Sequence, residues 1–219
     1  MLSNLFETTF GPESVLFSAI EVCSLPLLIG WIMVYAVLNY QEAGLCRDRD
    51  VQAVRRKRKS LNHFMGVSLI IFGLGLVYLT LLSRMNTETR GIETDFLYEL
   101  RLAFSLEDGV LELASSYWLL QTVHNILLFI PGGMIIPWWC RRMKLKMTSL
   151  GALACGFLIS LCIETTQLVT ATGIFEISDL MNNTLGFFIG FLFFSVVCKI
   201  CRMRQTARNK NYQTIFQPR

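Results

Sequence analysis

Five long runs of apolar residues divide the chain, and shorter polar stretches separate them. The runs cover residues 15–38, 64–82, 117–136, 150–169 and 180–200. Each is close to the roughly 20 residues that an α-helix needs to cross the hydrocarbon core of a bilayer. The pattern therefore predicts an all-α integral membrane protein with five transmembrane helices.

The order of these runs predicts three parts. Residues 1–116 hold two N-terminal transmembrane helices, at about 15–38 and 64–82, with a basic loop between them and an acidic loop after them. Residues 117–200 hold a core of three helices, at about 117–136, 150–169 and 180–200, and residues 201–219 form a basic tail. The polar stretches are too short to form a separate soluble domain of ordinary size.

Lysine and arginine predict the direction of the helices. The loop at residues 39–63 carries seven of them, five in a row at residues 55–59, while the first 14 residues carry none. Four more lie at residues 137–149 and six follow from Lys199 onward. Because basic residues concentrate in cytoplasmic loops, the N-terminus is expected outside and the C-terminus in the cytoplasm.

Composition changes this picture only by excluding other classes. The 219 residues are 53% apolar and 16% charged, whereas soluble domains have about 25% charged residues. A disordered chain is excluded, and a nucleic-acid partner is not expected. The basic run beside a span is better explained by topology and contact with anionic membrane lipid.

One further helix is predicted in the acidic loop. Apolar residues there follow helical spacing on one face of residues 96–104. The opposite face carries most of the charge. The pattern predicts a short amphipathic helix lying on the outer surface.

Cysteine gives no sign of a disulfide framework or a metal site. All seven cysteines fall in predicted spans or cytoplasmic segments, where disulfides are rare. Cys198 and Cys201 have the spacing of a redox or metal motif, but no second pair accompanies them. We therefore expect no metal and no cofactor.

Polar side chains in and beside the last three spans form the candidate ligand-binding site. Such groups are costly in hydrocarbon and are often functional. The predicted topology places all of them toward the outer face, and a buried carboxylate such as Glu164 needs a partner or a raised pKa. The candidate residues are His124, Asn125, Glu164, Gln167, Glu176, Asp179, Asn182 and Asn183.

Structural roles are open for the same residues. Asp179 is well placed to cap the last helix, where the helix N-terminus favours an anion. The side chains of Gln167, Asn182 and Asn183 can serve as hydrogen-bond partners between helices. His124 can bond Glu164 or a backbone carbonyl without any further function.

Small residues predict that the last two spans pack closely. Gly156 and Ser160 precede Glu164 at intervals of four, and Gly186 and Gly190 follow Asn182 at the same interval. Such stripes allow helix backbones to approach. The short connection between the spans predicts antiparallel neighbours, with Glu164 and Asn182 at the same level.

The third span contains helix-breaking residues. Pro131 is followed by Gly132 and Gly133, which predicts an interruption of the helix at residues 131–133. Broken spans often mark binding sites in transporters. A structural kink that contributes only to packing is the alternative.

Three sequence segments resemble one known family. They read NILLFIPGG at residues 125–133, ETTQ at 164–167 and IFEISDLMNNTLG at 174–186, with Gly190 after them. In this order they resemble the VanZ-like family of bacterial membrane proteins, named for a protein associated with reduced susceptibility to teicoplanin. Here Ser178 stands where many members have a second acid, and no arginine precedes the acidic cluster.

The resemblance implies a multi-pass protein of the bacterial cytoplasmic membrane. The first functional hypothesis is a non-enzymatic cell-envelope protein with an outer-leaflet site for a lipid-like ligand, such as a lipid-linked cell-wall precursor or a glycopeptide. A small transporter or flippase is the alternative, and oligomers could form its pathway. An intramembrane enzyme that uses Glu164 and His124 as acid and base is a third hypothesis.

Overall fold

The computed structural model describes residues 29–38, 51–80, 91–97, 101, 104–107, 110–113 and 116–216. Residues 1–38 and 39–219 form two compact units. The first contains helix α1 (Ile29–Leu38), in which the rings of Trp31 and Tyr35 stack with their centroids 5.8 Å apart. Residues 15–28 of the predicted first span lie outside the described residues.

The described residues of the second unit form four long helices. These are α2 (Val51–Thr80), α3 (Ser116–Arg142), α4 (Ser149–Thr170) and α5 (Ile177–Phe216). Each has a segment long and apolar enough to cross a membrane, at Arg58–Thr80, Trp118–Arg142, Ser149–Thr170 and Ile177–Ala207. The predicted all-α membrane fold is therefore confirmed, while the direction of crossing stays a prediction.

Contacts between the helices show that their directions alternate. Trp139 lies near Gly66 and Phe72 near Gly132, so α3 runs antiparallel to α2. Ser160 of α4 bonds Asn183 of α5, and Gly156 lies against Phe187, so these two helices are also antiparallel. The predicted antiparallel packing of the last two spans, α4 and α5, is therefore confirmed.

This alternation separates the charges of the second unit. One end, called the acidic end, carries Glu93, Asp95, Glu164, Glu176 and Asp179. The other, called the basic end, carries the charged residues near the start of α2, the end of α3 and the later part of α5: Arg55, Arg56, Arg58, Lys59, Arg141, Arg142, Lys144, Lys146, Lys199, Arg202 and Arg204.

Helix α3 does not have the predicted interruption. It continues from Ser116 to Arg142 with both Pro131 and Pro137 inside it. Gly132 and Gly133 pack against Phe187 of α5. Contacts with neighbouring helices therefore hold this segment helical, as proline-containing spans allow.

The described part of the chain also contains four short strands. At the acidic end, β1 (Ile92–Glu93) pairs in parallel with β4 (Phe175–Glu176), and the Phe175 N–H donates to the Gly91 carbonyl at 3.0 Å. The other two, β2 (Phe104–Glu107) and β3 (Val110–Leu113), form an antiparallel pair.

The predicted amphipathic helix at residues 96–104 is wrong at its end. The Arg101 N–H donates to the Leu97 carbonyl in a helical turn, but Phe104 already lies in β2. Phe104 pairs with Leu113 of β3. Strand pairing at this residue therefore overrides the helical spacing of the apolar residues.

Candidate functional site

Helix α5 carries one face that contacts both α3 and α4. Asp179, Asn183 and Phe187 follow one another at intervals of four, so they lie along one side of the helix. Asp179 accepts a hydrogen bond from α3, and Asn183 donates one to α4. We call the region around these three residues the three-helix interface.

Phe187 closes the three-helix interface toward the basic end. Its side chain is completely buried. Gly132 and Gly133 of α3 and Gly156 of α4 surround it, and a Cβ atom on Gly156 would lie only 2.8 Å from the Phe187 Cβ. The polar residues of the interface therefore lie on one side of a packed aromatic ring.

One helical turn from Phe187 toward the acidic end, two polar side chains form a hydrogen bond. The Asn183 Nδ2 donates to the Ser160 Oγ at 2.9 Å, and both residues are buried. This bond also sets the register of α4 against α5. Because the helices are antiparallel, the next turn of each brings Glu164 level with Asp179, rather than with Asn182 as the sequence predicted.

Asp179 is held from α3. The Asn125 Nδ2 donates to the Asp179 Oδ1 at 2.5 Å. Asp179 also lies in the first turn of α5, where the helix dipole stabilises a carboxylate. A capping position and an interhelical bond are therefore combined in one side chain.

Glu164 is the most deeply buried acid of the site. Its side chain is 1% exposed, and its Oε2 accepts a hydrogen bond from the backbone N–H of Glu176 at 3.1 Å. Glu176 lies in β4 and pairs in register with Glu93 of β1. The strand pair thus holds backbone and further acidic residues beside the Glu164 carboxylate.

Gln167 joins the acidic ends of α2 and α4. Its Nε2 donates to the Thr80 carbonyl at 2.8 Å. The backbone carbonyl of Gln167 accepts the N–H groups of Ala171 and Thr172, which end α4. Ala171 takes the left-handed conformation with φ of 57°, so the chain turns sharply toward β4 here.

His124 and Asn182 are half-buried neighbours of Asn125 and Asn183 in sequence. Among the other predicted ligand-binding residues, hydrogen bonds join Asn125 to Asp179 and Glu176 to Glu164. Asn183 is bonded to α4 and Gln167 to α2. Their function in binding stays a prediction.

The glycines predicted to contribute to packing lie where helix backbones come closest. A Cβ atom on Gly186 would overlap the Ile126 carbonyl oxygen, and one on Gly190 would overlap the Ile130 carbonyl oxygen. Gly133 contacts the backbone of Phe187. Gly186 and Gly190 therefore pack against α3, whereas the sequence predicted that they pack against α4.

Three buried polar atoms of uncharged side chains at the acidic end have no hydrogen-bond partner among the described residues. They are Gln167 Oε1, Ser178 Oγ and Asn183 Oδ1. Ser178 was not predicted as a site residue, and neither were Thr80 or Glu93. A serine beside Asp179 was a visible signal, whereas the two others join the site only through tertiary contacts.

The described residues include no group of three or more histidine, cysteine, aspartate or glutamate side chains that could hold a metal ion. The candidate site is therefore best described by its hydrogen bonds and its acidic charge.

Comparison with known protein families gives a match over most of the chain. The family model described as VanZ/LLP1 matches residues 64–199, which include the four long helices from the middle of α2 onward and every residue of the candidate site. No curated protein and no solved structure matches the chain.

Proposed function

Because the chain belongs to the VanZ/LLP1 family, we propose that it is a polytopic cell-envelope protein that binds a lipid-like or cell-wall-linked ligand at the three-helix interface. Binding lowers the susceptibility of the cell to teicoplanin. The protein acts on its ligand by holding it, without a chemical step.

The observation that carries this proposal is the burial of Glu164 level with Asp179. Carboxylates between membrane-spanning helices are costly, because the hydrocarbon cannot solvate them. Glu164 is 1% exposed and accepts the Glu176 N–H. Two acids kept at one level of a membrane bundle are typical of a binding site.

Phe187 supports binding in preference to transport. A transport pathway through the three-helix interface would have to pass the ring of Phe187, which is packed among three glycines of α3 and α4. The polar residues therefore face the acidic end only. A site whose polar residues all lie on one side of Phe187 fits a protein that holds a ligand on one side of the membrane.

The charge distribution supports placing that side in the outer leaflet. Basic residues are concentrated at the basic end, and such segments remain on the cytoplasmic side. The acidic end, with Glu164 and Asp179, then faces the outside of the bacterial cytoplasmic membrane. Cell-wall precursors and glycopeptides act on that side.

The test replaces each acid by its uncharged equivalent. Glu164→Gln and Asp179→Asn keep the shape of the side chain and are expressed in a bacterium in which the wild-type protein lowers teicoplanin susceptibility. Both variants are expected to restore susceptibility at unchanged protein levels. Lys144→Gln, which removes an exposed charge at the basic end, serves as the control and should behave as the wild type.

Unchanged susceptibility in both acid variants, at normal protein levels, contradicts the proposal. A loss of the protein from the membrane would be detected by immunoblotting of the membrane fraction. In that case the double variant Asn125→Asp with Asp179→Asn, which keeps one carboxylate and one carboxamide in this bonded pair, is tested in the same way.

A further inference from the structure

The carboxamides of Gln167 and Asn183 share one arrangement. Each donates its NH₂ group within the bundle, Gln167 to the Thr80 carbonyl and Asn183 to the Ser160 Oγ. Each leaves its oxygen buried with no partner among the described residues. The side-chain oxygens of Gln167 and Asn183 can therefore each accept a hydrogen bond from a further group.

Ser178 adds a third polar atom of this kind. Its side chain is 2% exposed, and its Oγ has no partner among the described residues. Buried polar groups in folded proteins are almost always hydrogen-bonded. Three such atoms, on residues within one helical turn of the level of Glu164 and Asp179, indicate that a further polar group completes the site.

The positions of the two amide oxygens follow from the register of α4 and α5. Asn183 lies one turn from Asp179 toward the basic end, and Gln167 lies one turn from Glu164 toward the acidic end. The acceptors therefore flank the level of the two carboxylates. Each carboxylate has about four lone-pair positions, so it can accept bonds beyond those described above.

The negative charge of the acidic end indicates which kind of hydrogen-bond donor a ligand would present there. The described residues of the acidic end include five acids, and their one arginine, Arg101, forms an ion pair with Asp95 at 3.1 Å. An anionic group would be repelled there. A group that is both positive and rich in N–H donors is favoured by the charge and by the acceptors together.

We propose that the three-helix interface takes a primary ammonium group of its ligand. The acceptors for its three N–H groups are the carboxylates of Glu164 and Asp179 and the buried oxygens of Gln167, Ser178 and Asn183. This inference rests on the proposed binding function and names the chemistry that the site recognises. A primary ammonium has three N–H donors. A trimethylammonium group has the same charge and none.

The test compares lipids that differ only in the head group. Purified full-length protein is titrated with dioleoyl phosphatidylethanolamine, phosphatidylcholine and phosphatidylglycerol, and binding is measured by native mass spectrometry. Phosphatidylethanolamine is expected to bind at least about tenfold more tightly than the other two, as charge-assisted hydrogen bonds predict.

Two variants tie the preference to the site. Ser178→Ala and Gln167→Met are each expected to reduce the preference for phosphatidylethanolamine several-fold. Ser178→Ala removes a hydroxyl without a described partner, so folding should be preserved. Thr166→Val is the matched control, because the Thr166 hydroxyl bonds only back to the Cys162 carbonyl of its own helix.

A soluble pair of probes distinguishes the source of the ammonium. Hexylamine and hexyltrimethylammonium are compared for protection against thermal unfolding. Protection by hexylamine alone, without a lipid preference, supports the same chemistry on a ligand that is not a phospholipid. A preference for phosphatidylethanolamine places the ammonium on a lipid head group.

Equal binding of phosphatidylethanolamine and phosphatidylcholine overturns the inference when hexylamine also protects no better than hexyltrimethylammonium. A preference for phosphatidylglycerol, or stronger protection by Ca²⁺ than by hexylamine, overturns it as well. The proposed function would survive these results if Glu164→Gln and Asp179→Asn still changed teicoplanin susceptibility. Unchanged susceptibility would instead remove the function on which the inference rests.

Discussion

Asn125 on α3 and Asp179 on α5 are joined by a hydrogen bond of 2.5 Å, although they lie 54 residues apart in the chain. The bond fixes α5 at its first turn, where the helix dipole already favours a carboxylate. The same pair therefore contributes to helix packing and to the shape of the candidate site.

A double-mutant cycle measures this coupling. Asn125→Ala, Asp179→Ala and the double variant are compared by reversible unfolding in mixed micelles. We expect a coupling energy of about 1–2 kcal/mol, because the acceptor is charged but interhelical bonds in membranes are modest. Additivity within about 0.5 kcal/mol would show that the two side chains act independently.

Gly186 permits the closest approach of α5 to α3. In Gly186→Ala the new Cβ would overlap the Ile126 carbonyl oxygen, so the helices must separate. We expect a loss of about 1–3 kcal/mol in the free energy of unfolding. Unfolding in micelles checks this value.

Gly75→Ala is the matched control for that substitution. Among the described residues, no atom outside the neighbouring helix backbone lies within 4 Å of the position that a Cβ atom would occupy on Gly75. Alanine favours a helix over glycine by about 1 kcal/mol, so this variant should be neutral or more stable. Equal destabilisation of both variants would contradict the packing described for α3 and α5.

Ser160 is expected to contribute through its bond to Asn183. Ser160→Ala leaves the Asn183 Nδ2 without its acceptor at a buried position. A cost of about 1–2 kcal/mol is predicted, against little change for Thr166→Val. If the serine variant retains wild-type stability, the bond does not contribute to holding α4 on α5.

Phe187→Ala tests the closure of the three-helix interface. Removing this fully buried ring should cost about 3–5 kcal/mol through lost contacts and a cavity. Phe193→Ala on the exposed side of α5 should cost far less. Similar losses for the two phenylalanines would indicate that Phe187 has no special place in the packing.

Ala171→Gly should stabilise the protein. Ala171 ends α4 with φ of 57°, a conformation that a side chain disfavours and glycine adopts easily. An increase of up to about 1 kcal/mol in the free energy of unfolding is expected. Ala152→Gly, inside α4, should instead reduce stability, since glycine disfavours a helix interior.

The long helices could be predicted from the sequence because each contains an apolar run of membrane length. Their ends were less accurate. Helix α2 begins at Val51, before the predicted residue 64, since arginine and lysine are good helix formers and the basic run continues the helix. Pro131 and the glycines after it do not end α3, because packing against Phe187 supports the helix there.

The site was predictable as far as helical spacing reached. Intervals of four identified Ser160 with Glu164 and Gly186 with Gly190, and the structure places each pair on an interhelical face. The spacing could not choose between Asn182 and Asn183, because that choice depends on how α4 and α5 are rotated against each other.

Short strands were missed for a different reason. Two-residue strands such as β1 and β4 have no periodicity that a sequence can display. For β2 and β3 a signal did exist, since Asp108 and Gly109 stand between them and Asp-Gly is a frequent hairpin turn. The apolar residues at 96–104 have helical spacing, and this pattern competes with the hairpin signal.

The pairing of β1 with β4 has a consequence for biogenesis. Ile92 precedes α3 in the chain, whereas its partner Phe175 follows α4, so the ribosome synthesises two whole spans between them. Residues 91–93 must therefore wait until α3 and α4 have been inserted before they find their partner strand. The backbone N–H of Glu176 that Glu164 accepts is delivered by the same late step, which makes the carboxylate environment one of the last parts of the protein to assemble.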